Sequence, residues 1–261
     1  YKPSGMENTE SNSFGSVIPR IEVIPLIGIP EVVTGDLLGP IICETAKSQG
    51  TPVKDRDILV VTQKIVSKAE GRIVSLNDVI PSHVACELAV DTGKDPRLVE
   101  LILMESRSLV RVDKMRGIII SETNHGFICA NAGIDSSNVP GTDCVSLLPV
   151  DPDGSANEIR KAIELHVGNL NISVIISDTF GRPWREGAVN VAIGLAGINA
   201  QMDYRDKVDP IGYRLRTTSI AIVDELASAA ELVMNKLDRV PVAIIRGYVY
   251  PKDNQGIQAL I

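Results

Sequence analysis

The sequence predicts an α+β fold with mixed sheets, flanking helices and two intertwined subdomains. Short apolar segments typical of buried strands alternate with amphipathic segments typical of helices. They do so without the strict βαβ order of a doubly wound Rossmann fold and without an internal repeat, which favours a mixed architecture. The 261 residues are enough for one large domain or two interleaved subdomains. We expect a flexible N-terminal tail at residues 1–16 and a folded domain at residues 17–261.

Composition and charge limit the classes of function. Aromatic residues make up only 3% of the chain, so the core must consist mainly of Val, Ile, Leu and Ala. The formal net charge of −7 argues against a nucleic-acid partner. The four cysteines stand far apart without a Cys-x-x-Cys motif, so we expect no zinc site, no disulfide framework and a cytoplasmic location. No apolar run approaches the roughly 20 residues of a membrane span, and no signal-peptide pattern is visible.

The first half of the folded region predicts strands and helices that build the core. Strands are predicted at 17–27 and 57–61, and helices at 36–49, 82–92 and 96–109. The apolar positions of the last two helices are expected to be core: Val84, Leu88, Leu98, Leu101, Ile102 and Leu109.

The second half predicts a hairpin followed by further strands and helices. Residues 118–120 and 127–130 flank a turn whose tip, His125, is expected to be exposed rather than catalytic. Later strands are predicted at 174–177, 218–223 and 240–245, with helices ending near 167 and covering 224–236. Asp153 or Ser155 is expected to cap the earlier of these helices. In the Gly/Ala-rich segment 189–200, Gly194 and Gly197 are expected to allow close packing.

One candidate site follows the apolar strand at 174–177. Asp178 and the Thr179 hydroxyl suit a hard divalent cation, which prefers oxygen ligands. In the loop expected after them, Arg182 and Arg185 suit phosphate or carboxylate groups. A turn cap flanked by surface arginines explains the same residues equally well.

A second candidate site lies at 131–139, directly after the predicted hairpin. Asp135 is a further candidate cation ligand, and the amide of Asn138 is a polar group for a ligand. An Asx-turn would account for the same residues.

Two other segments could contact phosphate groups. Gly28, between Pro25 and Pro30, would let the backbone approach a ligand, although an ordinary loop is favoured. Residues 62–72 carry three basic side chains and a glycine after a strand, but lack the Walker spacing. Taken alone, this segment is better explained as a solvated charged turn.

Taken together, the segments resemble the coenzyme F420-0:L-glutamate ligase (gamma-glutamyl ligase) family over about residues 17–247. The matching segments are PLIGIP (25–30), SKAEGR (67–72), NAGIDSSN (131–138), DPDGSA (151–156), DTFGR (178–182), DELA (224–227) and RG (246–247).

The resemblance implies a GTP-dependent ligase that adds L-glutamate to the deazaflavin F420-0 and then adds further γ-linked glutamates. It implies Mg²⁺ or Mn²⁺, stimulation by K⁺, an acyl-phosphate intermediate and an intertwined homodimer. The implied metal ligands are Asp135, Asp178 and Thr179. With Lys68, the two aspartates are the implied catalytic residues. The implied GTP contacts are Ile27, Gly28, Ile29, Pro30, Gln63, Lys64, Lys68, Asn138 and the loop at 234–241, which contains Lys236.

The chain departs from the family pattern at two places. Lys236 stands where archaeal members can carry an acid as a further metal ligand, and Gln63-Lys64 replaces a small hydroxyl pair. We predict that Lys236 supplies its own charge to a phosphate oxygen, leaving the metal to the two aspartates and Thr179. The alternative functions are a metal-dependent nucleotide phosphohydrolase and a non-catalytic binding protein.

Overall fold

The structure is a computed structural model that describes residues 19–139, 141, 143–168, 170–251 and 255–261. The tail predicted at 1–16 lies outside the described residues. In the described part of the chain, no helix combines the length and the apolar character needed to cross a membrane.

The described chain alternates helices and strands in a mixed order, which confirms the α+β prediction and is not a doubly wound arrangement. The helices are α1 (Leu38–Ser48), α2 (Gln63–Ala69), α3 (His83–Thr92), α4 (Pro96–Met104), α5 (Pro152–Val167) and α6 (Ile222–Met234). The strands are β1 (Glu22–Pro25), β2 (Ile58–Thr62), β3 (Ile73–Ser75), β4 (Ser106–Asp113), β5 (Ile118–Thr123), β6 (Ile128–Ala130), β7 (Cys144–Ser146), β8 (Ser173–Arg182), β9 (Arg185–Ala196), β10 (Met202–Asp203), β11 (Ser219–Ile220) and β12 (Val242–Arg246).

The main sheet has five strands in the order β1-β12-β2-β8-β9. Its one parallel pair joins β2 to β8, with Thr62 opposite Ser177, and the other neighbours are antiparallel. Ile58 to Val61 are each 0% exposed, as expected for a central strand covered on both faces. The parallel pair therefore brings the carboxyl ends of two buried apolar segments to the same edge.

Helices α1, α5 and α6 pack with this sheet into the larger of two apolar clusters. Helix α5 contacts α1, β8 and β9, whereas α6 contacts β1, β9 and β12. A Cβ on Gly39 of α1 would lie 2.5 Å from the Ala162 Cβ of α5, so the two helices can approach closely only because position 39 lacks a side chain.

A second apolar cluster is built by the middle of the chain. It contains residues from α3, α4 and β5 together with the segments around β3 and β7: Leu76, Ala85, Ala89, Val99, Leu101, Ile102, Ile119, Ala132, Ile134, Val145 and Leu147. The smaller cluster is built from residues 76–147, whereas the larger cluster is built mainly from the chain before and after this segment. The division into two interleaved subdomains stays a prediction.

The helix predicted at 96–109 is too long. Helix α4 ends at Met104, and β4 pairs antiparallel with β5 from Ser106 onwards. The segment from Ser106 to Asp113 is strand because it pairs with β5, and its own sequence does not alternate between polar and apolar residues. Leu109 is consequently 36% exposed on β4, and Val84, in the first turn of α3, is 54% exposed, so neither is core.

The strand predicted at 174–177 is too short. Strand β8 runs to Arg182 because β9 pairs with it along its whole length, Asp178 opposite Val191 and Arg182 opposite Arg185. The loop expected after Asp178 is thus the first strand of a hairpin arm with Trp184, 99% exposed, at its tip. Conversely, only Ser219–Ile220 of the strand predicted at 218–223 is strand, since α6 begins at Ile222.

Two smaller expectations are also wrong. The hairpin β5–β6 forms as predicted, but His125 is half-buried, with Nε2 2.8 Å from the Pro149 carbonyl oxygen. Helix α5 is capped by Asp151, whose Oδ1 accepts a hydrogen bond from the Gly154 N–H at 3.0 Å. Asp153 instead accepts from the Leu195 N–H at 2.8 Å, fixing α5 to β9.

Close packing at Gly194 gives a test of the α5–β9 contact. A Cβ at this position would lie 2.5 Å from the Pro152 carbonyl carbon and oxygen, which are backbone atoms that cannot rotate away. We expect Gly194→Ala to lower the free energy of unfolding by about 1–3 kcal/mol, measured by urea denaturation. Gly181→Ala is the matched control, because nothing lies within 4 Å of its added Cβ. Equal stability of the two variants would contradict this packing.

Candidate functional site

The parallel pairing of β2 with β8 positions the site. Helix α2 begins at Gln63, directly after Thr62, and Thr62 lies opposite Ser177. The start of α2, which carries the basic residues, and the acid Asp178 therefore lie at the same edge of the sheet.

Asp178 is a desolvated carboxylate. Its Oδ1 accepts a hydrogen bond from the Thr179 N–H at 2.8 Å. Burial raises the pKa of Asp178 to about 6, and the like charge of Asp135 adds to the rise, whereas the Thr179 N–H, Lys236 and Lys64 oppose it. A buried carboxylate with this little compensation has a strong electrostatic preference for an added cation.

Asp135 is presented by the turn that follows β6. Its backbone pairs with Ser146 in an isolated bridge, and its Oδ1 accepts from the Ser137 N–H at 2.7 Å, which is the predicted Asx-turn. Its Oδ2 lies 2.5 Å from the Lys64 Nζ. Burial alone would raise the pKa of Asp135, but Lys64 and the Ser137 donors outweigh it and hold the pKa below its usual value.

The two aspartates belong to one electrostatic cluster, although 43 positions separate them in the sequence. Asp135 and Lys64 both act on the ionisation of Asp178, and burial, followed by the charge of Asp178, raises the pKa of Cys129 on β6. The two acids that the sequence singled out thus lie within electrostatic range of each other.

Thr179 is the centre of a hydrogen-bonded network that the sequence did not reveal. Its hydroxyl donates to the Asn190 Oδ1 at 2.7 Å and accepts from the Lys236 ammonium. The Asn190 amide in turn donates to Glu231 at 2.9 Å. Asn190 is only 3% exposed, and it can be found only once Thr179 and Asn190 are known to lie opposite each other in the β8–β9 hairpin.

The segment at 62–72 is not a solvated turn, because its first seven residues after Thr62 form α2. Ile65 and Val66 anchor this helix in the core, and Gln63 and Lys68 are also buried. The Gln63 amide donates to the Ser67 hydroxyl at 2.7 Å and to the Leu147 carbonyl at 3.1 Å. Its side chain is engaged in packing, and its predicted contact with a nucleotide stays a prediction.

Lys68 lies one helical turn beyond Lys64 and forms an ion pair with Glu31. Glu31 also pairs with Arg239, 3.1 Å from the guanidinium. Hydrogen bonding to Lys68, followed by the charges of Lys68 and Arg239, holds the pKa of Glu31 below its usual value although burial opposes this. Glu31 thus links two cations from distant parts of the chain, and neither Glu31 nor Arg239 was picked out individually from the sequence.

The loop at 25–30 lines a cavity of about 780 Å³. Gly28 adopts a φ of +92°, a conformation that favours glycine. The Gln49 side chain fixes the loop, accepting from the Ile27 N–H and donating to the Pro25 carbonyl, each at 2.8 Å. The residue after this loop is Glu31, so the loop leads directly to Lys68.

Three predicted polar residues stand apart from the carboxylates or are engaged elsewhere. Arg182 donates to the Glu186 carbonyl at 2.7 Å and to the Gly187 carbonyl at 3.2 Å, and so supports the hairpin turn. Arg185 is exposed on the same arm, and Asn138 is exposed with a φ of +54°.

The donor set fits a hard divalent cation. Asp135, Asp178 and Thr179 offer two carboxylates and a hydroxyl, which are ligands that Mg²⁺ and Mn²⁺ accept. The half-buried Asp178 has no side-chain hydrogen-bond partner in the described residues. Among the residues described, no three His, Cys, Asp or Glu side chains are placed so that they could hold a metal ion together. The acidic ligands of the proposed set are therefore these two aspartates alone. The ammonium groups of Lys64 and Lys236 already contact Asp135 and Thr179, and a cation would have to compete with both.

The family model and the relatives that match this chain all carry the name of the same kind of ligase. The model of the F420-0:Gamma-glutamyl ligase family matches residues 26–247. A protein of Methanothermobacter thermautotrophicus named coenzyme F420:L-glutamate ligase is 46% identical over 244 residues, covering 92% of this chain and 95% of the relative. Proteins of the same name from Methanocaldococcus jannaschii and Methanopyrus kandleri are 48% and 46% identical, covering 78% and 87% of this chain and 80% and 86% of the relatives.

The family match at 26–247 spans most of the larger cluster, the smaller cluster and every residue of the candidate cation site. The matches confirm the resemblance that the sequence segments indicated. The chain belongs to the F420-0:gamma-glutamyl ligase family.

Proposed function

We propose that this ligase uses GTP and a divalent cation to join L-glutamate to coenzyme F420-0 through an acyl phosphate, and then adds further γ-linked glutamates. The observation that carries the proposal is the cluster of Asp135, Asp178, Lys64 and Lys236 beside Lys68. A site for a polyanionic nucleotide and a metal needs this combination of acids and cations.

The proposed reaction follows from the chemistry of amide formation. A carboxylate is a poor acyl donor, so one of its oxygens first attacks the γ-phosphorus of GTP, and the bond to the β-phosphate oxygen breaks to release GDP. The neutral amine of glutamate then attacks the acyl carbon, phosphate leaves, and the nitrogen loses its proton.

The first step brings an anionic carboxylate close to a triphosphate. At about 4 Å two like charges repel by roughly 1 kcal/mol in water and by roughly 4 kcal/mol near a protein surface. Mg²⁺ or Mn²⁺ held by Asp135, Asp178 and Thr179 would supply positive charge against the transferring phosphoryl group. The chain itself supplies the remaining compensation through ammonium groups that are already in place.

The cations of the chain have distinct roles in this proposal. Lys68 and Arg239 release Glu31 and bind phosphate oxygens, because a triphosphate offers them more negative charge than one carboxylate. With a metal held by Asp135 and Thr179, the ammonium groups of Lys64 and Lys236 would instead contact phosphate groups. Ile27, Gly28, Ile29 and Pro30 approach the nucleotide through their backbone.

The remaining properties are proposed from the family resemblance. They are K⁺ stimulation, a homodimer, and nucleotide contacts by Gln63 and Asn138. A cytoplasmic location is proposed from the widely spaced cysteines.

The proposed function is tested by measuring whether phosphate release from GTP is coupled to glutamate addition. Release of phosphate from GTP with Mn²⁺ should require both F420-0 and glutamate, and mass spectrometry should show the acceptor gaining one glutamyl residue per phosphate released. Equal phosphate release without the two co-substrates would identify a nucleotide phosphohydrolase instead.

Asp178→Asn separates function from stability. The pKa of Asp178 is about 6 in the folded protein against an ordinary 3.8. Because the folded state disfavours the ionised carboxylate, the free energy of unfolding of the wild type falls as the pH rises from about 3.8 to about 6. The metal-free variant should be more stable by about 1–3 kcal/mol near pH 7, a difference that shrinks towards pH 4. The variant should nevertheless lose most ligase activity.

Urea unfolding across this pH range measures the stability difference, and a ligase assay measures the activity. Asp91→Asn is the control, because Asp91 is a surface carboxylate paired with Lys114. An Asp178 variant that turns over normally would contradict the shared-site proposal.

Lys68→Ala tests the phosphate contact. Hydrogen bonds to charged groups contribute about 1.5–3 kcal/mol, so GDP affinity should fall by about tenfold or more, while acceptor affinity changes little. Calorimetric titration with GDP and Mn²⁺ measures this, with Lys161→Ala, an exposed lysine on α5, as control. Unchanged GDP affinity would leave Lys68 as a partner of Glu31 only.

Lys236→Glu tests the competition between ammonium and metal. The variant removes the cation that contacts Thr179 and adds a carboxylate, so the Mn²⁺ concentration for half-saturation should fall by about tenfold or more. Mn²⁺ binding is followed by electron paramagnetic resonance of the free ion, with Lys161→Glu as the charge-matched control. Identical Mn²⁺ titrations of the two variants would show that Lys236 has no part in the site.

A further inference from the structure

Helix α6 presents a row of polar side chains to strand β9. Asp224 accepts a hydrogen bond from the Ala192 N–H at 2.9 Å, and the Ser228 hydroxyl donates to the Asn190 carbonyl at 2.7 Å. Glu231 accepts from the Asn190 side-chain amide at 2.9 Å. Positions 224, 228 and 231 are four and three residues apart, so they lie on one face of the helix. The buried residues of α6 are all apolar, and this half-buried polar row is a separate feature.

Asn190 is the buried partner of that row. It is 3% exposed and lies opposite Thr179 in the β8–β9 hairpin. Its side-chain oxygen accepts from the Thr179 hydroxyl at 2.7 Å, while its amino group donates to the Glu231 carboxylate. A flipped amide would set its oxygen against that carboxylate, and both groups only accept hydrogen bonds. Glu231 therefore fixes the orientation of the Asn190 amide.

The orientation of the amide fixes the direction of the Thr179 proton. A hydroxyl has one proton and two lone pairs. The proton points to Asn190, and one lone pair accepts from the Lys236 ammonium. The second lone pair has no donor within the part of the chain that the structure describes. A hydroxyl binds a cation through a lone pair, so a proton held on the Asn190 side leaves Thr179 ready to act as a ligand.

We infer that Asn190, oriented by Glu231, is a positioning residue that keeps the lone pairs of the Thr179 hydroxyl available to a divalent cation. The inference rests on the proposed function, in which Asp135, Asp178 and Thr179 hold the cation. It extends the site to two residues that do not touch the cation themselves. Groups that hydrogen-bond a metal ligand orient it and strengthen its hold on the metal. Without Asn190, the hydroxyl proton is free to rotate towards the cation.

A purely structural role is the alternative, because Asn190 also fastens β9 to α6. Ser228 separates the two roles. Its hydroxyl fastens the helix to the same residue of β9, but through the backbone carbonyl and without a contact to Thr179 in the described residues. Ser228→Ala should therefore lower the urea concentration at the midpoint of unfolding and leave the affinity for Mn²⁺ unchanged.

The test is the binding of Mn²⁺ to the whole chain, followed by electron paramagnetic resonance of the free ion, which needs no turnover. Asn190→Leu keeps a side chain of similar size but offers the hydroxyl no acceptor. Mn²⁺ affinity should fall by about tenfold or more, as is typical when a group that orients a metal ligand is lost. Asn190→Ser is the second variant if the first does not fold. Its side chain is too short to reach the Thr179 hydroxyl, so the same loss is expected.

A rescue variant tests the role of the acceptor. Asn190→Asp combined with Glu231→Gln exchanges the amide and the carboxylate and leaves the net charge unchanged. The introduced carboxylate accepts both from the Thr179 hydroxyl and from the introduced amide, so the proton of Thr179 keeps its direction. Mn²⁺ affinity should return to the wild-type value.

The outcomes separate this inference from the proposed function. The inference is wrong, and the ligase proposal stands, if the Asn190 single variants bind Mn²⁺ as tightly as the wild type. The same holds if Ser228→Ala loses as much affinity as they do, or if the rescue variant binds as weakly as Asn190→Leu. If the wild type binds no Mn²⁺, the proposed cation site fails and this inference fails with it.

Discussion

The parallel pairing of β2 with β8 is the constraint on which the site depends. Its register sets Thr62 opposite Ser177, so that α2 starts level with Asp178. A shift of one residue would turn every side chain of β8 to the other face of the sheet and would separate Asp178 from Lys64. The apolar residues of both strands are buried on both faces of the sheet, so the pair is held inside the core.

Charge balance is the second constraint. Asp178 is half-buried and desolvated with one backbone donor, and Asp135 adds a like charge. The chain compensates with ammonium groups: Lys64 on Asp135 and Lys236 on Thr179. Such a site is less stable than one with apolar side chains. In the proposed function, this unfavourable electrostatic energy favours the binding of an added cation. Lys68 and Arg239 form a similar arrangement around Glu31, where a single carboxylate pairs with two cations. In the proposed function, nucleotide phosphate groups take the place of this carboxylate.

Much of the fold could be predicted because apolar runs mark buried strands. Asp135 and Asp178 were found for the same reason, since each is an acid that follows such a run. Helix α2 was missed because only Ile65 and Val66 indicate its buried side among charged neighbours. Asn190, Glu31 and Arg239 depend on contacts between distant segments, which periodicity does not encode. The extension of β8 was missed because it is stabilised by pairing with β9 rather than by its own composition.

The central claim is that Asp135 and Asp178 bind one cation beside the nucleotide phosphates. Anomalous scattering from Mn²⁺ in crystals grown with GDP tests it most directly. The account predicts a manganese peak within ligand distance of both carboxylates and of a phosphate oxygen, with the Lys236 ammonium outside ligand distance. Manganese bound to only one of the two aspartates, or next to the Lys236 ammonium, would contradict it.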